Sequence, residues 1–238
     1  MTNNYAIRFV SLEGGVSLFV NGFLVFAKED EGRSVTQASL FVRPGKNLFE
    51  LVPSEPGKSA SLSFVDMSEG DPEKAPVLLS VSTDGKLPTP VFGELEITSD
   101  IPNFEWHNAN EIGDLDTFTD EIYRKVQALG KALQNGPDNE LVRILSLKHK
   151  EIAQAVGLSK SEMDEGLLGG LSNVRDMPEF AVDIVERDDF LALVSTNGRI
   201  VNARRKSGGH ALKMMDDFEN PGFSIALAQF DKRWVIVR

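Results

Sequence analysis

The sequence predicts two domains of different class. An all-β sandwich spans residues 1–105 and an α+β domain spans 116–238, three helices packed on a curved antiparallel sheet, with a linker at 106–115. Three observations predict this. The first hundred residues hold short apolar runs punctuated by Gly and Pro. Near residue 114 the apolar spacing lengthens from two to three or four, and near 180 it returns to two.

In the first half, Val16–Val20 and Phe23–Phe26 flank Asn21-Gly22, a pair suited to a type I′ hairpin turn because both central residues take positive φ. A strand at 40–42, the turn Pro44-Gly45-Lys46-Asn47 and a strand at 48–52 follow. Further runs lie at 61–65 and 77–81, and residues 94–98 alternate strictly, as in a strand with one wet face. Eight of the eleven prolines fall between Pro44 and Pro102, which argues for many short strands rather than helices. Val20-Asn21-Gly22, then about twenty residues, then Val-Arg-Pro-Gly-Lys-Asn-Leu-Phe-Glu-Leu at 42–51 resembles the immunoglobulin-like and galactose-binding-like sandwiches.

In the second half, Phe118, Ile122, Val126, Leu129 and Leu133 share one helix face. Asp116 or Thr117 can cap this helix, Asp120/Arg124 and Glu121/Lys125 are spaced for ion pairs, and Asn135-Gly136-Pro137 ends it. A second helix is predicted over 139–156, ending at Gly157. Ser159-Lys160-Ser161-Glu162 has capping-box spacing and opens a third, to about 174. Strands follow: 180–186 and 190–196 as a hairpin, Asn197-Gly198 as a second I′-type turn into 199–205, and a last hairpin of 223–230 and 233–238. This order, closing on Asp-Lys-Arg-Trp-Val-Ile-Val, resembles the nuclear transport factor two-like (cystatin-like) α+β superfamily, whose bent sheet wraps a long helix to form a cone. Members usually place a strand or hairpin between the second and third helices, and none is read here.

With 41% apolar and 26% charged residues, the chain can bury a core and is not of disordered composition. It has no cysteine, which excludes disulfides, thiolate nucleophiles and Cys-ligated metal. The net charge is −11: residues 1–113 contribute −8 and residues 114–238 contribute −3. Such acidity repels phosphate backbones, so nucleic acid is not expected as a partner. No apolar run is long enough to span a bilayer and no signal-peptide pattern opens the chain, so the expectation is a soluble, cytoplasmic protein without membrane contact.

No phosphate-binding loop, dinucleotide fingerprint, H-E-x-x-H, EF-hand loop or G-x-S-x-G elbow occurs, and His107, His149 and His210 are too far apart in sequence to suggest a metal site. No cofactor and no metal are expected. His149 lies in the apolar stripe of the second helix. In a cone-shaped fold it could act as a general base, with Asp183 orienting it and Tyr123 donating to an oxyanion. The plainer reading seats it at the stripe's edge, its ring bonded to backbone and its neighbours Lys148 and Lys150 in water. Arg204, Arg205, Lys206 and His210 form a basic cluster before a Gly-Gly loop, which reads as an anion or acidic-partner site or simply as a solvated strand end. Trp106 stands at the domain junction, as a pocket residue or as packing, and Trp234 reads as core.

The function expected from these residues is non-enzymatic binding of a protein partner or small ligand. The alternatives are a small cone-fold isomerase, dehydratase or hydrolase built on His149 and Asp183, and a structural subunit of a larger assembly such as a homo-oligomer.

Overall fold

In the computed structural model, which describes residues 5–27, 32–67, 70–71, 73–98, 101–207, 209–215 and 222–238, Asn21 and Gly22 take φ of 49° and 85°. Both central residues of the turn are thus left-handed, as a type I′ hairpin requires, and β2 (Val16–Val20) folds back on β3 (Phe23–Phe26). The other strands of this half are β1 (Tyr5–Ser11), β4 (Gly32–Gln37), β5 (Gly45–Pro53), β6 (Ala60–Asp66), β7 (Val77–Thr83) and β8 (Val91–Ile97). They form two antiparallel four-stranded sheets, ordered β4-β1-β6-β7 and β3-β2-β5-β8. Alternate residues point inward: Phe49 on β5 meets Phe64 on β6 edge-on at 5.2 Å, and Leu18, Leu51 and Leu62 are fully buried.

Two buried amides tie one end of these sheets. The Asn21 Nδ2 donates to Asn47 Oδ1 (2.7 Å) and to the Phe41 carbonyl (2.8 Å), while Asn47 Nδ2 donates to the carbonyls of Arg43 and Gly45. This satisfaction makes polar burial tolerable. The strand expected at 40–42 is a turn instead, because the Phe41 N–H closes onto the Ala38 carbonyl at 2.9 Å and cannot join a ladder.

The chain divides into compact units Met1–His107 and Asn108–Arg238. The stretch read as a linker, 106–115, is divided between the two units. Trp106 is buried in the first unit, edge-on to Phe23 at 4.8 Å, and the N–H groups of Asn110 and Ile112 donate to Gln229 and Gly198 within the second.

Among its described residues the second unit has four α-helices, not three. Helix α1 (Thr119–Asn135) buries Ile122, Val126, Leu129 and Leu133 as their spacing predicts. No side chain caps α1, whose N-cap position is Phe118, so the expected cap from Asp116 or Thr117 does not form; in the short 3-10 turn ahead of α1, the Asp114 carboxylate accepts from the Asp116 N–H and the Thr117 hydroxyl. The carboxylate of Asp120 binds Arg187 at 2.5 Å, while Arg124 donates to the Asp120 backbone carbonyl, so the expected Asp120/Arg124 ion pair does not form. Gly130 lies so close to the sheet that a Cβ there would sit 2.6 Å from Ile184. The helix expected at 139–156 is two: α2 (Asp138–Ile144) and α3 (Ser146–Val156), parted at Leu145 with ψ near 6°. Both Leu141 and Leu145 stay buried, so the apolar spacing runs through the break. Helix α4 (Lys160–Arg175) carries the expected capping box at Ser159 and Glu162.

The strands are β9 (Ala181–Ile184), β10 (Phe190–Val194), β11 (Ile200–Arg205), β12 (Leu212–Met215), β13 (Gly222–Phe223), β14 (Ile225–Phe230) and β15 (Arg233–Ile236). They pair as β10-β11-β14-β15 and β13-β12-β9. The hairpin expected from 180–186 and 190–196 is absent: β9 pairs with β12 and β10 with β11. These are successive segments of neighbouring tracks. Ile184 faces Leu212, which also faces Phe223, while Phe190 faces Arg205 and Ile225 faces Ala203. Between segments the first track spends residues 185–189, the second the chain between Arg205 and Leu212, and the third Ser224 alone. Extra residues on two tracks and not on the third bend a sheet, as bulges do. The turn at Asn197-Gly198 also departs from expectation, since among the two only Gly198 takes positive φ and the Ser195 N–H bonds the Ile200 carbonyl around a longer loop. No helix among the described residues is long and apolar enough to cross a membrane.

Candidate functional site

The second unit contains a cavity of about 440 Å³ at this bend. Phe223, Ser224 and Ile225, which take the sheet through its short corner, form one wall, and α1, α3 and α4 form the others. The helical walls are mostly aliphatic: Leu129 and Leu133 from α1, Ile152 from α3, Met163 and Leu167 from α4. Their presence follows from amphipathic helices that turn apolar faces inward.

Three charged or titratable side chains, Lys148, His149 and Arg238, interrupt the apolar lining beyond α4's capping Glu162. His149 is buried, as its place in the stripe predicts, and its Nδ1 lies 2.6 Å from Asp164 Oδ1. The other Asp164 oxygen accepts from Lys160 at 2.5 Å. Burial alone would raise the Asp164 carboxyl, but hydrogen bonds from Lys160 and His149 and their charges together hold it below the usual range. Arg238 forms a buried ion pair with Glu151, Nη1 to Oε2 at 2.6 Å. Burial works against its guanidinium charge more than Glu151 supports it, so its pKa sits below that of an ordinary arginine.

Lys148 was expected in water. It is half-buried instead and lines the cavity. Surrounding protein, and then the charge of Arg238, pull its pKa down to about 8. Its ammonium has no carboxylate partner among the described residues. The sequence carries a signal for this: Leu141, Leu145, Lys148 and Ile152 are spaced four, three and four, so Lys148 belongs to the inward stripe.

The other candidates lie elsewhere. Asp183 does not orient His149: on β9 its carboxylate meets Arg205 at 2.8 Å. The Tyr123 hydroxyl donates to the Val185 carbonyl at 3.3 Å and accepts from Gln127, and it is absent from the cavity wall, so it is not an oxyanion donor there. The basic cluster does not converge on an anion. Arg205 is held by Asp183, the Asp189 carboxylate at 3.8 Å and the His210 carbonyl, His210 is buried, Arg204 points to the opposite strand face, and Lys206 is exposed. Asp189 also accepts from the Ser207 N–H and hydroxyl, so these charges tie the two arcs of the bend together. Trp106, 2% exposed, offers no surface to a ligand or partner. Trp234 is core, edge-on to Phe118 at 5.7 Å.

Sequence could not point to Asp164 as the partner of His149, because their contact depends on how α4 packs on α3. Comparison with known protein families, curated proteins and solved structures finds no match to this chain.

Proposed function

We propose that this is a small-ligand-binding protein whose α+β half holds an apolar ligand and whose sandwich half is a scaffold or docking module. The cavity at the sheet bend carries the proposal: its volume falls in the range that encloses small organic ligands, and its wall is apolar with a few charged groups. The sandwich offers packed sheets and satisfied buried amides, which suit a rigid support.

The test is titration of the full chain with Nile red, a neutral apolar fluorophore, alongside Gly166→Leu. Gly166 lines the cavity, and a Cβ there meets nothing within 4 Å, so leucine fills space without displacing backbone. Saturable binding that Gly166→Leu removes supports the proposal. Equal binding by both proteins ends it.

A second reading is catalysis, favoured by the 2.6 Å contact of His149 with Asp164 in the cavity wall. Here Asp164 takes the orienting role that sequence spacing assigned to Asp183. It requires turnover of apolar aryl esters that Asp164→Asn slows at least tenfold. A rate no faster than buffer eliminates it.

A further inference from the structure

We propose that the ligand of this cavity is an amphipathic carboxylate, its alkyl chain against the aliphatic walls and its head group on the Lys148 ammonium. This rests on the binding reading above and adds the chemical class.

The charges around the cavity support it. Three of the other charged groups already have counterparts: the Glu162 carboxylate accepts from the Ser159 N–H at 2.7 Å in the helix cap, Arg238 has Glu151, and His149 has Asp164. Lys148 adds a positive charge that no carboxylate among the described residues balances. A cation held in an apolar wall without a partner is unfavourable, and one anionic oxygen group placed beside it removes that cost. A neutral alcohol removes little of it, and an amine adds to it.

The wall chooses the rest of the molecule. Leu129, Leu133, Ile152, Met163 and Leu167 offer alkyl surface, with few groups placed to read a polar body by hydrogen bonds. Methionine and leucine walls accept a flexible chain because their side chains adapt in shape. A carboxylate reaching this site is not gathered by the protein as a whole, whose net charge of −11 repels anions. Selection must come from the short-range pair with Lys148 inside the cavity.

The experiment is calorimetric titration of the full chain with decanoate and, separately, with 1-decanol, both below their aggregation limits. A hydrogen bond to a charged group distinguishes the two by about 10- to 100-fold in affinity, so decanoate is expected to bind tighter by that factor. Lys148→Met, similar in length and apolar, should cut decanoate affinity to the level of decanol while leaving decanol binding within about twofold. Decanol binding by the variant also reports that it is folded. Gly166→Leu should remove both ligands. If wild-type protein binds decanol as tightly as decanoate, or Lys148→Met keeps the preference, the carboxylate assignment is wrong while the binding reading stands. If neither ligand binds, the carboxylate assignment falls, and a Nile red titration unaffected by Gly166→Leu shows that the binding reading has fallen with it.

Discussion

Arg238 reaches back across the second unit to Glu151 on α3, and the two side chains meet at 2.6 Å almost wholly out of water, with 5% and 2% of their surfaces exposed. A pair buried this deeply is balanced between desolvation and attraction, so breaking it on one side is far costlier than removing both sides. Glu151→Gln is expected to destabilise the protein by about 3–5 kcal/mol. The double change Glu151→Leu with Arg238→Met should recover most of that loss. Urea unfolding of the three proteins tests this, and a double variant no more stable than the single one would contradict it.

Lys148 makes stability depend on alkaline pH. Its folded pKa of about 8 lies below the unfolded value of 10.5, so between these values the unfolded chain binds more protons. Stability from this group therefore rises as pH climbs from about 8 to 10.5, by something on the order of 1–3 kcal/mol. Below pH 8 the charged group carries its full penalty in the folded state. The groups facing it are His149, Glu162 and Arg238 in the cavity wall and Glu151 behind Arg238. Lys148→Met should be more stable than wild type at pH 7, and its advantage should shrink by pH 10.5. Thermal unfolding across this range checks both points.

The last hairpin turns on Asp231 and Lys232, which take φ of 45° and 66° without being glycine. The pair connects β14 to β15 in the backbone form that Asn-Gly fills with least strain. Replacing Asp231-Lys232 by Asn-Gly is expected to stabilise the protein by about 1 kcal/mol. An unchanged or lower Tm would mean that the turn residues have partners that matter more than backbone strain.

Gly130 and Gly169 should respond in opposite directions to alanine. A Cβ at Gly130 sits 2.6 Å from the Ile184 side chain and 3.0 Å from that of Leu212, so these side chains must shift from their present packing, at about 1–3 kcal/mol. A Cβ at Gly169 on α4 meets nothing within 4 Å, and alanine gains about 0.5–1 kcal/mol of helix stability. Urea midpoints that moved the same way would overturn the packing of α1 on β9 and β12.

The element types were legible from local chemistry. The Asn21-Gly22 hairpin, the buried face of α1 and the Ser159 capping box each depend on residues within a few positions of one another, so spacing and side-chain type determined them. Spacing also placed His149 in an inward stripe, and it placed Lys148 there too, although a lysine next to a histidine reads as solvated until its surroundings are known.

Tertiary structure alone decided which segments meet. Nothing local distinguishes a β9–β10 hairpin from β9 on β12, because both satisfy the same two-residue period; the Asp189–Ser207 and Arg205–Asp183 contacts at the bend accompany the β9–β12 pairing and are visible only in the folded chain. The same holds for the cavity. Asp164 rather than Asp183 reaches His149, and Arg238 comes to rest on Glu151, through contacts between residues 15 and 87 positions apart. Hydrophobic period records which side of an element is buried, but the charge and the empty volume that side will face are set by its packing partners.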